Sequence, residues 1–243
     1  MTVDVVGVPI QNVTMEEAVS DCSAFLDSKD RRIVVTPNAE ILQLCVEDAA
    51  VKDIICQADY IVPDGIGVVH GAKILGTPVK QKVAGCDLAW NLLGEAEKKG
   101  KRVFLLGAKP GVADTAAQKM KEQYPDLIIA GVQDGYFKQD APVIETINAA
   151  QTDLLFVCLG VPKQEQWMVA HRQELNVSLM MGLGGSLDVF AGTVKRAPKI
   201  FIKLGLEWLY RLIKEPWRFK RMMKLPVFFV SVFKYKKQRR KAK

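Results

Sequence analysis

Short runs of branched apolar residues alternate along the chain with stretches whose apolar positions recur at helical spacing. The runs are Arg32-Ile-Val-Val35, Tyr60-Ile-Val62, Val103-Phe-Leu-Leu106, Leu127-Ile-Ile-Ala130, Leu154-Leu-Phe-Val-Cys158 and Ser178-Leu-Met-Met181. They are continuous rather than alternating, as in strands buried on both faces. Residues 39–50, 88–99, 111–124, 142–151 and 163–174 lie between them and have helical length and amphipathic spacing. Strand and helix in turn predict an α/β domain, a parallel Rossmann-like sheet with helices on both faces.

Each predicted strand runs into a turn rich in Gly, Pro, Asn or Asp. These turns are Thr36-Pro-Asn38, Pro63-Asp-Gly-Ile-Gly67, Gly107-Ala-Lys-Pro-Gly111, Gly131 to Tyr136, Gly160-Val-Pro-Lys163 and Gly182-Leu-Gly-Gly-Ser186. Open α/β sheets bind ligands outside the carboxyl ends of their strands, so the turns predict one crevice with room for a phosphate. Turns after strands favour Gly with or without a ligand, and that alternative stands beside the first. Familiar phosphate signatures are missing. Gly65-Ile-Gly67-Val-Val-His-Gly71 is one residue too long for G-x-G-x-x-G, and no Walker A sequence occurs, which disfavours a standard dinucleotide dehydrogenase or P-loop NTPase.

Composition adds an asymmetry. The 34 basic and 27 acidic side chains leave a net +7. Residues 1–194 carry 17 basic and 25 acidic groups, whereas residues 195–243 carry 17 and 2. The sequence therefore divides into an acidic α/β body, 1–194, and a cationic appendage, 195–243, suited to a polyanionic partner. Cys22, Cys45, Cys56, Cys86 and Cys158 form no C-x-x-C pair and read as reduced cytosolic thiols. The opening residues lack the basic-then-apolar pattern of a signal peptide. With only His70 and His171, no cysteine cluster and no D-x-D carboxylate pair, neither a metal nor a cofactor is expected. A departing diphosphate would then be met by Arg, Lys and N–H groups.

In the appendage, Lys199, Lys203, Glu207, Arg211 and Lys214 make one polar stripe on a predicted helix whose remaining surface, Ile200 to Ile213, is broadly apolar. Pro216 is expected to end it. The apolar run Leu225 to Phe233 would span only about 14 Å as a helix, too short to cross a bilayer but able to lie in its interface. Lys234 to Lys243 adds seven positive charges. A membrane surface, a nucleic acid, or a solvated tail beyond a helix buried in its own core would each fit. The aromatics form a contiguous block rather than spaced stacking platforms, which favours the anionic membrane over nucleic acid. The same apolar face could pack against a second copy in solution, giving a homo-oligomer.

Several stretches together resemble the TagA/WecG/CpsF family of glycosyltransferases, which act on polyprenyl-diphosphate sugars. They are Thr36-Pro-Asn38, Ala58 to Gly67, Val83-Ala-Gly-Cys-Asp87, Phe104 to Gly107, Gly131 with Gly135-Tyr-Phe137, Leu159 to Glu165 and Gly182-Leu-Gly-Gly. Gly192 to Pro198, Glu207-Trp-Leu-Tyr-Arg211 and Glu215-Pro-Trp-Arg218 to Arg221 continue the series. The basic, hydrophobic appendage is most similar to the TagA members. The resemblance implies inverting transfer of N-acetylmannosamine from its UDP derivative to undecaprenyl-diphosphate N-acetylglucosamine in wall teichoic acid assembly, at the inner face of the cell membrane. It implies Asp64 as the base, Thr36 and Asn38 as holders of sugar or acceptor, Gln166 as a further polar residue, and Arg211, Arg218 and Arg221 as diphosphate ligands. Asp64 also fits a turn or cap, and the arginines fit lipid contact. Donor contacts are expected from Gly107, Gly135, Tyr136, Gly160, Gly184, Gly185 and Asp188 at the strand ends. Relatives with N-acetylmannosaminuronic acid or glucose as donor, and a non-catalytic membrane-anchored nucleotide-binding protein, remain alternatives.

Overall fold

The structure is a computed structural model that describes all residues except Leu204, Glu215, Trp217, Arg218, Ala242 and Lys243; for Lys199, Lys203, Arg211, Lys220 and Arg221 it describes the backbone alone. The chain opens with an antiparallel hairpin, β1 (Thr2–Val5) and β2 (Val8–Gln11). Helix α1 (Met15–Phe25) leads to β3 (Arg32–Val35), α2 (Ala39–Glu47), α3 (Ala49–Cys56), β4 (Tyr60–Ile61) and α4 (Ile66–Leu75). Next come α5 (Gly85–Lys98), β5 (Arg102–Gly107), α6 (Val112–Gln123), β6 (Ile128–Gln133), α7 (Asp140–Ala149), β7 (Leu154–Cys158), α8 (Lys163–Ala170), β8 (Leu179–Gly182) and α9 (Ser186–Phe190). Four described helices follow: α10 (Lys199–Lys203), α11 (Glu207–Lys214), α12 (Phe219–Met222) and α13 (Lys224–Lys241).

Strands β3 to β8 form a six-stranded parallel sheet in the order β4-β3-β8-β7-β5-β6, as the α/β reading expected. Successive strand residues enter two different cores. Ile33, Val35, Phe104, Leu106, Leu155, Val157 and Met180 pack with α2, α3, α4, α7, α8 and α13. Val34, Val103, Leu105, Leu154, Phe156, Leu179 and Met181 pack with α1, α5, α6 and α9 on the other face. Burial on both faces is why these strands read as unbroken apolar runs. The chain leaves β3 and β7 toward the first face but β8 and β5 toward the second. Neighbouring strands whose connections part in this way open a crevice at their carboxyl ends.

Three local features differ from the sequence reading. The hairpin escaped it because each strand is only four residues long; Val6 and Gly7, at φ 50° and 84°, supply the two left-handed positions of a tight hairpin turn. The segment 39–50 is two helices, because Asp48 is extended and its Oδ1 accepts the Ala50 N–H at 2.8 Å, starting a new helix. The expected single helix from Lys199 to Ile213 is broken into α10 and α11 around Gly205, whose φ of 70° lies in the left-handed region.

The apolar run from Leu225 also behaves differently from the interfacial segment that was expected. It opens α13, one amphipathic helix continuing to Lys241, in which Leu225, Phe228, Val232 and Tyr235 share a stripe turned onto the first core. Phe228 and Val232 are fully buried, each contributing roughly 1.5–3 kcal/mol. The glycines of α4 make room for it: a Cβ on Gly67 would lie 2.9 Å from Leu225 Cδ1, and one on Gly71 3.0 Å from Phe228 Cε1. Polar ties secure the helix. Lys224 Nζ pairs with Glu47 at 2.8 Å, Tyr235 Oη donates to Asp4 Oδ2 at 3.1 Å, and Lys236 Nζ donates to the Ile74 carbonyl. Among the described residues no helix is long and apolar enough to cross a membrane.

Candidate active site

The turn after β4 carries Asp64, half-buried, and several elements fix it. Its N–H donates to the Pro37 carbonyl in the turn after β3, at 3.3 Å, and its Oδ2 accepts the Gly85 N–H at the start of α5, at 3.3 Å. The 14-residue α5 thus points its positive end at this carboxylate. Thr36 closes the other side: a Cβ on Gly85 would lie 2.6 Å from Thr36 Oγ1, so only glycine lets α5 begin this close to β3. The Thr36 hydroxyl in turn donates to the Gly182 carbonyl at the end of β8, at 3.4 Å. Asn38 caps α2, its Oδ1 accepting the Ile41 N–H at 3.0 Å, and its Cβ stands 3.8 Å from the position a Cβ on Gly65 would take. Thr36, Asn38 and Asp64 therefore share one patch.

The patch continues along the strand ends through Gln164 and Glu165, which sequence reasoning passed over in favour of their neighbour. Both are buried on α8, whereas Gln166 is exposed. Gln164 Oε1 accepts the Gly184 N–H at 2.9 Å, and its Nε2 donates to Glu165 Oε1 at 2.7 Å. Glu165 Oε2 is buried with no hydrogen-bond partner, and burial pushes this carboxyl up to about 7. The Pro-Lys-Gln-Glu turn after β7 was the available signal: the first helical turn beyond a strand end is where inward polar groups reach a crevice.

On the far side, β5 and β7 bring Gly107 opposite Cys158, and a Cβ on Gly107, at φ 128°, would lie 2.3 Å from the Cys158 carbonyl oxygen. Gly135 donates its N–H to Ala108 at 2.9 Å, and a Cβ there would lie 3.1 Å from Leu159 Cδ2. Gly107 and Gly135 thus have packing reasons of their own. Gly160 and Gly184 border open space. Tyr136 and Gly185 are exposed, and Asp188 holds the following connection, its carbonyl accepting the Thr193 hydroxyl at 2.9 Å and the Val194 N–H at 3.0 Å. Contacts therefore link all six turns edge to edge. Surface cavities of about 590 Å³ between α1 and α5, and about 430 Å³ at the amino ends of β5 and β7, lie away from them.

Arg196 and Asp87, which lie in two of the stretches that carry the family resemblance but were given no role, form a two-pronged ion pair, Nη1 to Oδ1 at 2.5 Å and Nη2 to Oδ2 at 2.7 Å. Arg218 lies outside the described residues, and Arg211 and Arg221 are described only as backbone positions in α11 and α12. No group of three or more His, Cys, Asp or Glu among the described residues is arranged to hold a metal ion.

The model of the Glycosyl transferase WecG/TagA/CpsF family matches residues 3–242. The chain belongs to this family. A relative from Bacillus subtilis strain 168 is 40% identical over 216 residues, covering 89% of this chain and 84% of its own length. One from Staphylococcus aureus strain MW2 is 37% identical over 244 residues, covering 99% and 96%. Both relatives are named N-acetylglucosaminyldiphosphoundecaprenol N-acetyl-beta-D-mannosaminyltransferase. At 99% of this chain, the likeness between this WecG/TagA/CpsF member and the Staphylococcus relative runs through the basic segment.

Proposed function

We propose that this chain transfers N-acetylmannosamine from UDP-N-acetylmannosamine to undecaprenyl-diphosphate N-acetylglucosamine, building the wall teichoic acid linkage unit. The observation that carries the reading is likeness over nearly the whole chain to relatives bearing that name, joined to a fixed carboxylate at the strand ends. Asp64 takes the proton from the acceptor hydroxyl as its oxygen attacks the anomeric carbon. The anomeric C–O bond breaks, its electron pair leaves with UDP, and attack from the opposite face inverts the centre. Thr36 and Asn38 hold the sugars beside Asp64, with Gln166 a further polar contact at the rim. The Gly107, Gly135, Tyr136, Gly160, Gly184, Gly185 and Asp188 edge receives the nucleotide. Arg211, Arg218 and Arg221 neutralise the diphosphates, so that no metal is required.

The acceptor is a lipid, and the outer side of α13 suits a peripheral position on the inner membrane face. Val227, Val230 and Phe233 are exposed there beside Lys234, Lys237 and Lys241, with Ile213, Phe219 and Met223 exposed nearby in sequence. An apolar surface rimmed by cations binds anionic lipid through both terms together.

The test is transfer from a panel of UDP-sugars to a short-chain lipid diphosphate acceptor, with and without EDTA. Asp64→Asn should keep UDP binding and lower transfer by about 10² or more, and EDTA should leave the rate unchanged. Transfer by Asp64→Asn within threefold of the unaltered protein removes Asp64 as base; a rate lost to EDTA and restored by magnesium or manganese overturns the metal-independent mechanism.

A further inference from the structure

The cationic segment after residue 195 must arrive at the strand-end crevice in one orientation if its arginines are to meet a diphosphate, and the described contacts contain a device for this. We propose that the Asp87–Arg196 ion pair is a positioning clasp that fixes the start of the cationic segment against the end of α5 beside Asp64. The inference rests on the reading of Asp64 as the base and adds a pair of residues to it.

Four observations carry it. Asp87 lies in the first turn of α5, two residues beyond Gly85, whose N–H is bound to Asp64 Oδ2. The helix end that orients the base is therefore the one that receives Arg196. Second, the pairing engages both guanidinium Nη atoms and both carboxylate oxygens, at 2.5 and 2.7 Å. Two parallel bonds between two planes fix direction as well as distance, which a lysine could not do. Third, the pair is partly shielded, with side-chain exposures of 31% and 36%, so solvent weakens it less than an open surface pair. Fourth, Glu207, the first residue of α11, lies within electrostatic reach of the same guanidinium, which relates the clasp to the helix that bears Arg211.

The approach to the clasp is held as well. Thr193 and Val194 are bonded to the Asp188 carbonyl on α9. Beyond it, Gly205, at φ 70°, stands against Ile66 of α4, where a Cβ would lie 3.0 Å from Ile66 Cγ1. Among the described side chains between these two fixed points, the charged contact is the one to Asp87, and it is made to the element that also binds the base. Arg196 is a positioning residue: its Nη atoms are taken by Asp87, and it acts through the segment it orients.

The experiment compares Asp87→Asn, Arg196→Lys, Arg196→Asp and the charge swap Asp87→Arg with Arg196→Asp, in the full chain, on UDP-N-acetylmannosamine and a short-chain acceptor. Asp87→Asn and Arg196→Asp should lower kcat by about 10-fold to 10²-fold while KM for the UDP-sugar stays within about threefold, because transition-state stabilisation is lost rather than nucleotide binding. Arg196→Lys should fall in between. The swap should recover at least about tenfold over Arg196→Asp, though not fully, since a cation in the first turn of α5 opposes the helix dipole. Chymotryptic cleavage at Phe201 should quicken in the single variants and slow again in the swap, a readout that a general loss of stability would not restore. A swap no more active than Arg196→Asp overturns the clasp, and a UDP-sugar KM that rises with kcat intact overturns it in favour of Arg196 as a direct nucleotide ligand. Should a single variant fail to fold, Arg196→Lys and the swap carry the comparison. Failure of the swap while the unaltered protein transfers the sugar removes the clasp alone; absence of transfer by the unaltered protein removes the function proposed above.

Discussion

Residues 199–222 and residues 224–241 have the same kind of composition, large apolar side chains among lysines and arginines, and their described side chains meet the core to different depths. In α13 the apolar residues at 225, 228, 232 and 235 repeat at helical spacing, and two of them are fully buried against α2 and α4. In α11 Glu207 and Lys214 fall on one side of the helix while Trp208, Leu209 and Leu212 are half-buried, Gly205 separates it from α10, and Ile200 and Ile213 are each 64% exposed. Composition does not tell the two apart, and burial does: α13 sends two large apolar side chains fully into the core, whereas none of the described side chains of α10 and α11 is fully buried. One part of the cationic module is a structural wall of the α/β body, and the other carries the arginines proposed above to meet the diphosphates.

The sharpest way to break this contrast is to cut the same side chain in two places. Phe228→Ala should cost about 3–5 kcal/mol in urea unfolding, and Phe233→Ala, 58% exposed on the same helix, about 0.5 kcal/mol or less. Equal losses would mean that α13 is not seated as described. A smaller effect concerns the body. Burial holds the Glu165 carboxyl up to about 7 against an ordinary value of 4.5, so the folded protein keeps a proton that the unfolded chain has released. Stability should therefore fall as pH rises from about 4.5 through 7 and level off above that. Glu165→Gln should flatten this fall and be more stable at pH 8 by up to roughly 3 kcal/mol, as read from denaturation midpoints at several pH values. An unchanged pH slope in Glu165→Gln would show that other groups produce it. The smallest effect refines the outer surface: Lys237→Gln should weaken binding to anionic vesicles about fivefold at low salt, less at high salt, and leave turnover on a short-chain acceptor unaltered. Salt-independent binding in both proteins would take the charge out of the membrane contact.

The sheet could be read from the chain because five of its six strands are continuous apolar runs buried on two sides, and runs of that kind have few other uses in a protein this size. What resisted reading depends on single atoms. A helix stops at Asp48 because one carboxylate finds two N–H groups ahead of it. Around 205 a left-handed glycine outweighs a polar stripe whose spacing suits a helix. The tail of α13 looked separable because its lysines and arginines mask the continuation of the apolar stripe to Tyr235. At the site, Asp64, Thr36 and Asn38 were visible as polar residues at strand ends, and the structure brings them together. Gln164, Glu165, Asp87 and Arg196 stood in quoted stretches but received no role: Glu165 is set apart by its burial, and the other three by partners distant in sequence, as the 109 positions between Asp87 and Arg196 illustrate.

The seating of α13 also sets an order on the making of the protein. Tyr235 meets Asp4 across 231 positions and Lys236 meets Ile74 across 162, so the helix that finishes the first core is translated after every element it covers. Until then the groove between α2 and α4 stands open on a nascent chain whose sheet can already pair, and contacts this distant in sequence close slowly. A ribosome that stalls before Lys224 would release not a shortened enzyme but a sticky one, with Gly67 and Gly71 lining an unfilled apolar slot. Burial of that slot therefore waits on the synthesis of α13, the element that fills it.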